Sequence, residues 1–201
     1  MFKQIVAATL VLTLGSITAS AQTAPMPQMG RDVPATQASD SIPLDMNDPA
    51  IRQATMDGKS ASGFMMAAAK SDLTESQLSE VALRRASSRN VQDFAKFMVQ
   101  EHGKTSVELM QIARTKNVTL PTTLSPEDQQ AKADLEGRTG ATFEQLYVAK
   151  MVKGHEKAVA LFQSAATQNE DPELRAFANK HLADIQQHLR DVSRLSVRAR
   201  S

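Results

Sequence analysis

The chain has 201 residues, with 23 basic and 22 acidic side chains, four histidines, no cysteine, no tryptophan and only 4% aromatic residues. This near-neutral balance argues against electrostatic capture of nucleic acid or of an anionic membrane. Lack of cysteine rules out disulfide support and a lipoprotein thiol, and scarce aromatics fit Ala/Leu/Met helix packing better than a β-sandwich.

Met1-Phe2-Lys3 leads into an uncharged stretch from Gln4 to Thr18, closed by Ala19-Ser20-Ala21. A positive start, a short apolar run and an A-x-A ending describe a secretory signal peptide over 1–21, cleaved after Ala21. The run is broken by Gln4, Thr9, Thr13, Gly15 and Ser16, so it does not supply the roughly 20 apolar residues of a membrane anchor. Cleavage removes one basic residue, Lys3, leaving 22 basic against 22 acidic groups. The expected location is periplasmic or secreted, with no stable membrane insertion after cleavage. Residues 22–59 carry Pro25, Pro27, Pro34, Pro43 and Pro49 among Gln, Ser and Thr, and lack sustained periodicity. Such a segment buries too little apolar surface to offset its ordering entropy, so it reads as a disordered leader. Met26 and Met29 form an M-x-x-M pair suited to Cu(I), although composition alone accounts for them.

Helical patterning occupies 60–201. The first helix is predicted over Gly63–Ala86, with Phe64, Ala68, Glu75, Leu78, Ala82 and Ala86 on its inner line. A second follows Ser87-Ser88 and ends near Asn117, with Val91, Ala95, Met98, His102, Leu109 and Ile112 on its seam. Ser125-Pro126-Glu127-Asp128 is an N-cap with proline at the first helical position, opening a short connecting helix that ends near Gly137. Thr142 and Gln145 form a capping box for a third long helix lined by Phe143, Tyr147, Met151, His155, Ala158 and Phe162. Asp171-Pro172 opens the fourth, lined by Leu174, Ala178, His181, Ile185, His188 and Val192. The segments echo one another: F-A-K-F-M-V-Q-E-H ends at His102 and Y-V-A-K-M-V-K-G-H ends at His155. The pattern predicts an all-α antiparallel four-helix bundle made of two helical hairpins with a longer middle connection.

Glu75, His102, His155 and His188 put one titratable group on the inner line of each long helix, with Tyr147 two turns before His155. Unpaired burial of such groups costs several kcal/mol, so partners are expected. One reading is a hydrogen-bond network in which Glu75 and Tyr147 satisfy the imidazoles. The other is a mononuclear metal site, since facing helices of bundles supply carboxylates and imidazoles. The paired E-x-x-H of carboxylate-bridged di-iron bundles is missing, because Val99, Val152 and Ile185 stand three residues before the histidines. His181, Asp184 and His188 offer a metal patch on one helix, and Met98 and Met151 offer thioethers a turn before His102 and His155. A polar bundle edge and seam packing are the readier accounts of these. Glu101 reads as surface. Phosphate loops, the G-x-S-x-G elbow, H-E-x-x-H and a cysteine nucleophile are all missing, so no catalytic site is expected.

E-S-Q-L-S-E-V-A-L-R-R-A (75–86), F-A-K-F-M-V-Q-E-H (94–102), L-P-T-T-L (120–124), F-E-Q-L-Y-V-A-K-M-V-K-G-H-E-K-A-V (143–159) and F-A-N-K-H-L-A-D-I-Q-Q-H-L (177–189) resemble, in order and spacing, an exported bacterial family, domain of unknown function 4142. The resemblance implies a ferritin-like fold without established activity, and its pattern carries onto Glu75, His102, Tyr147, His155 and His188. Gly154 departs from it where an acidic residue is common, and Leu182-Ala183 where Leu-Pro is usual. The expected role is a non-enzymatic, stress-related module of the cell envelope, without cofactor and with partner and oligomeric state unspecified. The alternatives are a metal-binding or redox protein holding iron, copper or manganese on Glu75, His102, His155 and His188, or a protein-interaction module.

Overall fold

The computed structural model describes residues 43–198. The signal peptide, most of the leader and the Met26/Met29 pair lie outside the described residues. Six helices and no strands occur among them: α1 (Pro49–Asp57), α2 (Ala61–Arg85), α3 (Arg89–Thr115), α4 (Pro126–Glu136), α5 (Gly140–Gln168) and α6 (Pro172–Arg198). Three helices start on the same local device, an Asp or Ser acceptor followed by proline. Asp48 Oδ1 accepts from Ala50 N at 2.7 Å, Ser125 Oγ from Asp128 N at 3.2 Å, and Asp171 Oδ1 from Glu173 N at 2.9 Å. Proline lacks the N–H that a first turn leaves unbonded, and its fixed φ already suits the helix.

Helix α1 corrects the reading of 22–59 as a leader throughout. Its apolar face is only Ile51 and Ala54, both buried, which is too short to register as periodicity. It packs on α5. Ser164 Oγ donates to Thr55 O at 2.6 Å, and a Cβ on Gly58 would stand 2.6 Å from the Leu161 carbonyl, so only glycine lets the chain pass this close to α5. The Thr142 capping box is a second correction. Gly140, at φ +55°, turns the chain into α5 earlier, and Thr142 Oγ1 donates to Thr139 O at 2.9 Å instead of capping.

The long helices pair as α2 with α3 and α5 with α6, and α2 also packs on α5. Connections of three residues, 86–88 and 169–171, fold each pair back on itself. Contacts fix the directions. Glu144, at the start of α5, accepts from Ser87 N and Ser88 N at 2.8 and 2.7 Å, capping the start of α3, which lacks a side-chain cap of its own. At the other end Asn169 donates to Gly58 O and Ser60 O. Helices α3 and α5 therefore start at the same end, and the segment carrying α4 returns the chain along the length of the molecule. That shared start puts His102 and His155 at one level. Phe64, Phe162 and Phe177 form an aromatic cluster on one side of this level, with centroids 5.1–6.1 Å apart and Phe64 edge-on to the other two. Phe94 and Tyr147 close the other side at 6.5 Å.

Candidate metal centre

Glu75 is buried in the middle of α2, three residues before Leu78 on the same apolar stripe. Its Oε1 accepts from Ser71 Oγ, one turn earlier, at 2.8 Å. That bond turns Oε2 toward two imidazoles, 2.8 Å from His155 Nδ1 and 3.5 Å from His102 Nε2. Each imidazole is held from behind. His102 Nδ1–H donates to Asp72 Oδ1 at 2.9 Å, and Asp72 Oδ2 accepts from Ser106 Oγ at 3.2 Å. His155 Nδ1–H donates to the Met151 carbonyl one turn back at 2.9 Å. A ring N–H has one direction, so with that bond made, the Glu75 Oε2 approach is a close contact rather than a second full hydrogen bond. This arrangement leaves Glu75 Oε2, His102 Nε2 and His155 Nε2 buried without a hydrogen-bond partner among the described residues. Buried polar atoms are nearly always bonded, so three orphans in one cluster call for an explanation.

The same three residues each place a ligand-capable atom within 4.8 Å of the other two. A tetrahedral ion with bonds of about 2.1 Å separates its ligands by about 3.4 Å, close to the 3.5 Å between Glu75 Oε2 and His102 Nε2. Hydrogen-bonded partners behind each ligand are the usual means of fixing tautomer and ring orientation at metal sites. Ser71, Asp72, Ser106 and the Met151 carbonyl fill that role here. The sequence held a signal for them: Ser71 and Asp72 stand four and three residues before Glu75, and Ser106 four after His102.

Electrostatics agree with the geometry. Burial pushes the Glu75 carboxyl up, and the His155 and His102 imidazoles outweigh it, holding the group well below the carboxylate range. Burial pulls His102 down, and the Asp72 and Glu75 carboxylates overcome this, raising it to about 10. Burial, together with repulsion from His155 and His102, lowers His188 to about 3.

Other residues singled out in the sequence take different places. His188 is buried with its ring 5.7 Å from His155 and edge-on to Phe97 at 5.1 Å, and lies outside the three-residue cluster. Tyr147 does not serve the imidazoles: its hydroxyl pairs with Ser79 Oγ at 2.9 Å, and burial raises it above its ordinary value. The network with Tyr147 is thereby corrected, because Ser79 lies directly opposite and absorbs the hydroxyl. The patch of His181, Asp184 and His188 on α6 does not assemble either. His181 pairs with Glu108 on α3 at 3.0 Å, Asp184 is exposed, and His188 faces inward. Met98 and Met151 are fully buried core residues. Glu101 is half-buried and pairs with Lys104 at 2.6 Å. Gly154 sits against the site: a Cβ there would stand 2.9 Å from Glu75 Oε1 and 3.1 Å from its Cδ.

The family model described as Domain of unknown function (DUF4142) matches residues 46–195. The chain belongs to this family. No curated protein and no solved structure matches it. The matched span starts at Met46, just ahead of α1, so the DUF4142 unit includes the helix that the leader reading left out. It also contains all of Glu75, His102, His155 and His188. Among the described residues of this DUF4142 chain, no helix is long and apolar enough to cross a membrane.

Proposed function

We propose that the protein binds one divalent first-row transition-metal ion inside a ferritin-like four-helix bundle, through Glu75, His102 and His155. The observation that carries this is a buried trio that brings ligand-capable atoms within 4.8 Å of one another, each member keeping one unpartnered polar atom while its other polar atom is held in place. One carboxylate and two imidazoles suit iron, manganese, copper or zinc, and softness alone does not choose between them. The nearest second carboxylate, Asp72, stands behind an imidazole, so the arrangement favours one ion over a bridged pair. The pairing of α2 with α3 and of α5 with α6, with a full-length return between them, supports the ferritin-like reading. The role is that of an exported binding module of the cell envelope, consistent with the A-x-A signal at Ala19–Ala21 and the family resemblance. Mass spectrometry of the mature N-terminus checks export, with Gln22 as the expected first residue and a retained Met1 as the contrary result.

The test of metal binding is calorimetric titration of chelator-treated full-length protein with Mn2+, Fe2+, Co2+ and Zn2+. One ion per chain is expected, with binding lost in His102→Ala and His155→Ala. His181→Ala is the control, because His181 is engaged with Glu108. Binding that survives in both site variants, or stoichiometry near zero in the wild type, removes the proposal.

A further inference from the structure

Three protein ligands leave a tetrahedral ion one further position, and the surroundings decide whether protein or solvent fills it. A cavity of about 240 Å3 abuts the cluster, with His102, His155 and His188 on its inner wall. Ala158, Phe162 and Ile185 form an apolar side, and Lys104 and Lys180, both exposed, border its outer end. The cavity thus connects buried imidazoles to bulk water. Glu75 does not line it, whereas Ser71 and Asp72, which hold Glu75 and His102, do.

We infer that the bound ion keeps an exchangeable coordination position facing this cavity, taken by water or by a small monodentate ligand. The inference rests on the metal reading above. A cavity of this volume holds several waters and so has room for a linear triatomic anion. At its mouth Lys180 pairs with Glu108 at 2.8 Å and Lys104 with Glu101 at 2.6 Å, and the exposed Asp184 carboxylate stands beside them. His188 makes no side-chain hydrogen bond among the described residues, and its packing on Phe97 and His155 holds the ring at the cavity wall. It is a positioning residue, set to hydrogen-bond the exchangeable ligand without binding the ion.

The experiment uses full-length protein loaded with Co2+, whose visible spectrum reports coordination, titrated with azide. A saturable spectral change is expected in the wild type. His188→Phe should keep cobalt stoichiometry and weaken azide by about tenfold, as for one lost hydrogen bond, with partial rescue in His188→Gln. Ala158→Leu, which fills the cavity, should weaken azide further while leaving cobalt bound. Bound cobalt whose spectrum ignores saturating azide overturns this inference and leaves the metal reading standing. Cobalt lost in His188→Phe also overturns it, since His188 would then be the fourth ligand. Failure of cobalt to bind the wild type sinks both.

Discussion

Two glycines in the middle of long helices should respond oppositely to the same substitution. In an unhindered helix interior Gly→Ala stabilises by about 0.5–1 kcal/mol, because alanine loses less backbone entropy on folding. Gly103, beside His102 on α3, meets that condition: nothing lies within 4 Å of where its Cβ would be. Gly154, beside His155 on α5, does not, since its Cβ would stand 2.9 Å from Glu75 Oε1 and 3.1 Å from Cδ. The carboxylate must move, and it is pinned by the 2.8 Å bond from Ser71. Losing a hydrogen bond to a charged group costs about 1.5–3 kcal/mol, which outweighs the helical gain and leaves Gly154→Ala destabilised by about 1–2 kcal/mol. For a domain of this size that lowers Tm by roughly 2–8 °C, while Gly103→Ala raises it by roughly 1–4 °C. Thermal and urea unfolding of metal-free protein measure both. In the Glu75→Ala background the clash is gone, and Gly154→Ala should become stabilising, a coupling of about 0.5–3 kcal/mol. Equal stabilisation by the two single substitutions would show that the Glu75 carboxylate moves freely and refute the account of a pinned ligand.

The stability of metal-free protein should peak near pH 6.5 and fall on both sides. Above it folded His102 keeps its proton to about pH 10 while the unfolded imidazole releases it, so stability present below 6.5 is lost as pH rises through that window. Below it the unfolded His188 gains a proton that the folded one refuses down to about pH 3; urea midpoints against pH should lose the alkaline slope in His102→Asn and the acidic slope in His188→Phe. Metal must displace the His102 proton, so affinity should rise by up to tenfold per pH unit below 10, with about one proton released per ion as read by calorimetry in buffers of different ionisation enthalpy. Asp72→Asn should weaken metal binding by about 10–100-fold through His102 alone, checked by competition with a chelating dye. Tyr147→Phe should cost about 0.5–1.5 kcal/mol in urea unfolding by orphaning Ser79, yet leave metal affinity unchanged; a matching loss of affinity would return Tyr147 to the site.

The sequence alone determined which residues turn inward. Phe143, Tyr147, Met151 and His155 repeat every fourth position, and all are buried, because burying one apolar stripe sets helical phase locally. The helix starts at Ser125-Pro126 and Asp171-Pro172 were legible for the same local reason. Asp48-Pro49 carries the same signal, but two buried residues give α1 too little stripe to read, and its stability comes from α5. Partner choice was not local at all. The four-residue periodicity puts Tyr147 and His155 on one face, and only the packing of α2 on α5 gives Tyr147 to Ser79 and His155 to Glu75. The common starting end of α3 and α5 brings His102 level with His155, and the crossing of α3 with α6 ties His181 to Glu108. These are contacts between residues 30 to 80 positions apart, decided by the directions and depths of whole helices, quantities that no single helix encodes.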